Sequence, residues 1–155
     1  KEPTAFCYAF AQNYQPMSYY RLDPPGTTPT ELLTRIKKNL AAGLPSMFGF
    51  TVYSSIVQAG DNGGKIPYPT KGDKIEGGHA IVAAGYDDKM KIKNSITGAV
   101  ETTGALLIRN SWGTSWGDNG YGKVAAGFDC GIRIITIQLW SYRLAVMVFL
   151  AMFFL

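Results

Sequence analysis

The chain has 155 residues, 46% of them hydrophobic and 17% charged, with a formal charge of +4. That length and composition suit one globular domain with its own core. The basic residues are dispersed, Lys37 and Lys38 in one segment and Lys89, Lys91 and Lys93 alternating in another, which reads as a solvated face and argues against a nucleic-acid partner.

Lys1 to Gln15 lacks a long apolar segment and a small-residue cleavage site, so no signal peptide is visible. Asp23-Pro24-Pro25-Gly26 is a turn. Behind it, Thr28 with Pro29 at the first helical position and Glu31 three residues on forms a capping box. Leu32, Leu33, Ile36 and Leu40 then share one helical face, Arg35, Lys37 and Lys38 face away, and Gly43 supplies the stop. This predicts an amphipathic packing helix. A membrane-surface helix fits less well, because the polar face is short and no aromatic anchors flank it. Pro45 to Tyr53, with its aromatic and β-branched residues, predicts a strand.

Gly60 to Gly78 carries Asp61-Asn62-Gly63-Gly64, Pro67, Pro69 and Gly72, and reads as a long loop that ends at His79, the only histidine. Loops beside a reactive residue shape access to it. Gly77 and Gly78 either let a substrate backbone come close or simply make a tight turn. The apolar run that follows predicts a buried strand with His79 at its edge. Asp87 to Thr103 is polar and predicts an exposed hairpin or insertion, with Asp87-Asp88 a solvated turn rather than a metal pair. Nothing resembles a zinc site, a phosphate loop or a dinucleotide fingerprint.

Gly104 to Arg109 predicts a second strand that delivers Asn110 at its end. If the two strands pair, Asn110 comes within hydrogen-bond reach of His79. An amide oxygen accepting from one imidazole nitrogen fixes the tautomer and leaves the other nitrogen free to exchange a proton with a nucleophile. On residue types alone, however, a lone histidine after glycine is an ordinary structural residue, and Asn110-Ser111-Trp112-Gly113 an ordinary turn closed by an aromatic.

The block from Asn110-Ser111-Trp112-Gly113 through Ser115-Trp116-Gly117-Asp118-Asn119-Gly120-Tyr121-Gly122, preceded by Gly78-His79-Ala80-Ile81 and Gly85-Tyr86, resembles the second half of a papain-like cysteine peptidase, with both motifs in the family's order. The resemblance implies that His79 is the general base and acid, that Asn110 orients it, and that Trp112 covers the hydrogen bond between them. A Cys-His-Asn set is the cysteine version of triad chemistry, with a thiolate stabilised by the imidazolium. Cys7-Tyr8-Ala9-Phe10 invites assignment as the nucleophile segment, yet Thr4-Ala5-Phe6 does not supply the expected approach and no oxyanion glutamine precedes it. Cys7 also precedes His79 by 79 − 7 = 72 residues, where the family pattern wants about 130 to 150. Cys7 therefore reads as a structural or incidental cysteine.

Cys130-Gly131-Ile132 resembles the family's late Cys-Gly-Ile, whose usual partner cysteine before the histidine is missing here; a Cys7–Cys130 disulfide stays open, and two cysteines do not settle the compartment. Arg133 to Trp140 reads as a terminal strand. Leu144 to Leu155 is 12 uninterrupted apolar residues, against about 20 for a bilayer span. It is a buried terminal segment, a membrane-associated tail or non-native sequence; Arg143 weakens the membrane option.

The expectation is an α+β fold: the antiparallel, barrel-like second domain of a papain-like peptidase with one packed amphipathic helix, over residues 1–132, followed by the apolar tail 133–155, with the first domain largely absent. The implied reaction is peptide-bond hydrolysis through a thioester. It implies a peptide or protein substrate and no metal or organic cofactor, with a missing N-terminal half or a partner chain supplying the cysteine. A non-catalytic, peptidase-derived binding module is the alternative.

Overall fold

The structure, a computed structural model, describes residues 2–14, 18–126 and 133–138. The Cys130-Gly131-Ile132 segment, a Cys7–Cys130 pairing and the apolar run from Leu144 to Leu155 lie outside the described residues.

Local chemistry sets the first half. Thr4 caps a short helix α1 (Ala5–Ala11) that buries none of its residues, an element the sequence reading does not contain. Strand β1 (Ser18–Arg21) follows. The turn at Gly26 then leads into helix α2 (Pro29–Ala41), where the capping box forms as predicted: the Thr28 hydroxyl accepts from the Glu31 amide and the Glu31 carboxylate accepts from the Thr28 amide. Ile36 is buried, and Leu32, Leu33 and Leu40 pack beside it on the core. On the flank of the helix, Arg35 donates to the Leu22 carbonyl at 2.9 Å and to the Thr27 hydroxyl at 3.0 Å, tying α2 to the turn before it.

Among the described residues, seven strands form one curved sheet, a half-barrel. After β1 come β2 (Ser46–Tyr53), β3 (Lys65–Ile66), β4 (Ile75–Ile92), β5 (Thr102–Arg109), β6 (Tyr121–Ala125) and β7 (Arg133–Gln138), and the order across the sheet is β1-β7-β2-β4-β5-β6-β3. All neighbours are antiparallel except β3 and β6, which are parallel. The period-2 alternation of β2 sends Phe48, Phe50 and Val52 into the core. They meet Ile81 and Ala83 of β4, Leu106 and Ile108 of β5, and Val124 of β6, with α2 closing over them. This is the α+β, barrel-like arrangement with a packed amphipathic helix that the sequence predicts.

Two expectations change. The Gly60–Gly78 stretch is not loop throughout: β3 interrupts it, and β4 begins at Ile75, so His79 lies inside a strand rather than at its edge. The reason is pairing, because Thr51 and Val52 of β2 oppose Gly78 and Gly77 and draw the glycines into the ladder. Asp87 and Asp88 likewise belong to β4, beside a register shift between Asp87 and Lys91, and not to a turn. There Asp88 pairs with Lys37 of α2, whose ammonium also lies 5.6 Å from the Tyr86 ring centre, so the polar end of β4 is fastened to the helix.

Candidate functional site

His79 and Asn110 come from adjacent antiparallel strands. His79 sits on β4 opposite Phe50 of β2, and Asn110 follows directly on the end of β5. Asn110 is buried at 5% exposure. Its amide donates to the Gly120 carbonyl at 3.0 Å, so the turn after β5 holds it in place.

The Asn110 side-chain oxygen accepts from the Ser111 amide at 2.8 Å and lies 2.9 Å from Nε2 of His79. A carbonyl oxygen cannot donate, so Nε2 must carry the proton of that bond. The neutral ring is thereby held as the Nε2–H tautomer, with Nδ1 an acceptor. Among the described residues no hydrogen bond to Nδ1 occurs.

Aromatic faces clamp the imidazole. Trp112 stacks on it with ring centres 4.8 Å apart and planes 20° off parallel, while Phe50 lies 6.0 Å away on a tilted plane. Trp116 meets Trp112 edge to face at 5.5 Å, a favoured aromatic geometry. Trp112 is 46% exposed, so it covers the pair from the solvent side. The structure therefore brings His79, Asn110 and Trp112 together. Sequence reasoning missed Phe50, whose signal was its place in the strand that opposes His79.

The glycines of the following loop let three backbones meet. Gly117 has φ +59°, and a Cβ there would lie 2.5 Å from the Tyr121 carbonyl oxygen; a Cβ on Gly122 would lie 2.7 Å from Cη2 of Trp116. Lys123 closes the loop from below, donating to the Gly63 carbonyl at 3.1 Å and to Asp118 at 2.9 Å. That hydrogen bond, then the Lys123 charge, holds the Asp118 carboxyl below the usual range.

Cys7 is the one cysteine among the described residues, and it is exposed on α1. The Thr4 hydroxyl lies 3.3 Å from its Sγ. That side-chain hydrogen bond, ahead of a backbone one from Thr4, draws the thiol below its ordinary pKa.

A second polar cluster, absent from the sequence reading, lies upstream of His79. Asp73 is its centre. Burial pushes the carboxyl up, but the Thr70 amide and the hydroxyls of Ser55, Ser54 and Thr70 outweigh it, so its pKa is lowered. Among the described residues no group of three or more His, Cys, Asp or Glu side chains is placed to hold a metal ion.

Comparison with known proteins agrees with this architecture. The family model described as Papain family cysteine protease matches residues 6–138. Xylellain, a cysteine protease from Xylella fastidiosa, is similar in structure with a TM-score of 0.65 and 33% identity, over 91% of this chain and 47% of that one. An uncharacterized peptidase C1-like protein of Acanthamoeba polyphaga mimivirus is 30% identical over 122 residues, 77% of this chain and 35% of the viral protein. The Oryzain gamma chain of Oryza sativa subsp. japonica is 36% identical over 85 residues, 54% of this chain and 18% of that protein. The chain thus spans about a third or less of the length of these two curated relatives.

Proposed function

The chain belongs to the papain family of cysteine proteases, and from that premise we propose that it carries the histidine and asparagine of a thiol peptidase site. His79 is the general base and acid, Asn110 orients it, and Trp112 shields their hydrogen bond. The reading is carried by one observation: the bond from Nε2 of His79 to the oxygen of Asn110, under the stacked Trp112 ring, directs Nδ1 to other chemistry.

In this scheme a cysteine thiolate beside Nδ1 attacks the carbonyl carbon of a peptide bond. The tetrahedral intermediate collapses as His79 hands its Nδ1 proton to the departing amine, leaving a thioester. Neutral His79 then takes a proton from water, the hydroxide adds to the thioester, and the carboxylic acid leaves as the thiolate and imidazolium are restored. Asn110 accepts the hydrogen bond from Nε2–H throughout and keeps the ring oriented. A peptide or protein is the substrate, and no metal or organic cofactor enters.

Cys7 fits the thiolate of this scheme poorly. That residue is 72 positions from His79 by subtraction and stands on a helix that buries none of its residues. A longer form of the protein or a partner chain supplies the nucleophile. The same placement of Cys7 favours, as the second reading, a peptidase-derived module that binds peptides without cleaving them.

Labelling of the purified chain with an epoxysuccinyl peptide, followed by mass mapping, separates these readings. The expected result is no labelling that depends on His79, with Cys7→Ala and His79→Ala as controls. Labelling at Cys7 that disappears in His79→Ala would instead make this a compact complete site. A probe-reactive cysteine in a longer form, lost in His79→Ala, favours the peptidase over the binding module.

A further inference from the structure

Upstream of His79 the strand has little of its own to fix its register, whereas Ile81 and Ala83 beyond it are buried. Pairing between β2 and β4 shifts between Val52 and Tyr53: Tyr53 opposes Ile75, while Val52 opposes Gly77, so Glu76 is the extra residue. Gly77 and Gly78 come next, Gly77 at φ +146°, and then His79. Ile75, Glu76 and both glycines are exposed. Buried side chains normally specify strand register, and a slip of one residue turns every side chain to the opposite face. With Ile81 and Ala83 holding the strand beyond it, a slip confined to residues 75–79 would turn His79 away from Asn110.

An anchor stands immediately upstream. Oδ1 of Asp73 accepts from the Ser54 hydroxyl at 3.1 Å. Oδ2 accepts from the Thr70 amide at 2.6 Å, the Thr70 hydroxyl at 3.1 Å and Nδ2 of Asn94 at 3.2 Å. Asn94, 3% exposed, also donates to the Tyr68 carbonyl and accepts from Gln58. The next residue is locked to the same serine: the Lys74 amide donates to Ser54 Oγ at 3.0 Å, and the Ser54 amide donates to the Lys74 carbonyl at 2.8 Å. Ser54 follows Tyr53, so the clamp sits at the register shift itself.

We propose that Asp73 is a positioning residue, which clamps the start of β4 to Ser54 and thereby fixes the register of the segment before Ile81, which turns His79 toward Asn110. Its consequence for catalysis rests on the proposed role of His79; the register does not.

Nuclear magnetic resonance of the full chain tests this directly, because a single histidine gives a single imidazole. The wild-type chain is expected to show one set of ring signals with a slowly exchanging Nε2–H. In Asp73→Ala a second set appears and the Nε2–H signal is lost, while the amides of Leu106 and Ile108 keep their protection. Asp73→Asn restores the single set, since its oxygen can accept from Thr70 and Asn94 while its amide donates to Ser54 Oγ. If Asp73→Ala does not fold, Ser54→Ala serves in its place, with a second set of signals expected. Unchanged imidazole signals in the folded variant would overturn the proposal. So would protection lost equally across β5 and β6, or an Asp73→Asn chain as disordered at His79 as Asp73→Ala. No step of this measurement needs a nucleophile or turnover, so a failed peptidase assignment leaves its outcome intact.

Discussion

The side-chain oxygen of Asn110 lies 2.9 Å from Nε2 of His79 while accepting the Ser111 amide at 2.8 Å. One buried oxygen thus fixes both the tautomer of the ring and its own orientation. Replacing Asn110 by alanine removes that acceptor and leaves Nε2–H and the Ser111 amide to find others. In a form of the protein that turns over peptide, kcat should fall about tenfold, corresponding to a hydrogen bond of about 1.4 kcal/mol. Steady-state kinetics on a fluorogenic peptide check this, and KM should change little.

The close approach of Gly117 to Tyr121 gives a stability prediction. Gly117→Ala puts a side chain on a left-handed backbone and drives its Cβ against the Tyr121 carbonyl oxygen. The loss should be about 2 kcal/mol or more. Gly72, with open space around a built Cβ, is the control, and Gly72→Ala should be neutral or slightly stabilising. Urea unfolding midpoints of the two variants compare them.

Packing of α2 on the sheet rests on Ile36, 3% exposed. Ile36→Ala should cost about 2 to 5 kcal/mol through lost burial and the cavity left behind. A midpoint in urea within experimental error of wild type would show that α2 is not held through this side chain.

The capping box of α2 was legible because all its signals lie within four residues, Thr28 to Glu31. The pairing of β4 with β5 was legible in the alternation of apolar strand and polar turn, and the order of motifs gave the fold. The Asp73 cluster was not. Its members Ser54, Gln58, Thr70 and Asn94 are polar residues that stand apart in sequence, and nothing local marks them as partners. The start of β4 was hidden for a related reason: Glu76-Gly77-Gly78 reads as loop, and only pairing with β2 makes it strand.

Asp73 also sets a pH dependence. Its folded pKa lies below the unfolded value, so the anion stabilises the fold fully above the unfolded value, near 4. That contribution is lost as pH falls through the lower folded value. Asp73→Asn should flatten this acid-side slope, read from unfolding midpoints between about pH 2 and 5.

The most direct test of the central claim is peptide turnover by a form of the protein that bears a probe-reactive cysteine, with and without His79. His79→Ala should abolish it, a loss of at least about a hundredfold to ten-thousandfold for a general acid and base, with the chain still folded. Near-normal turnover by His79→Ala would contradict the account.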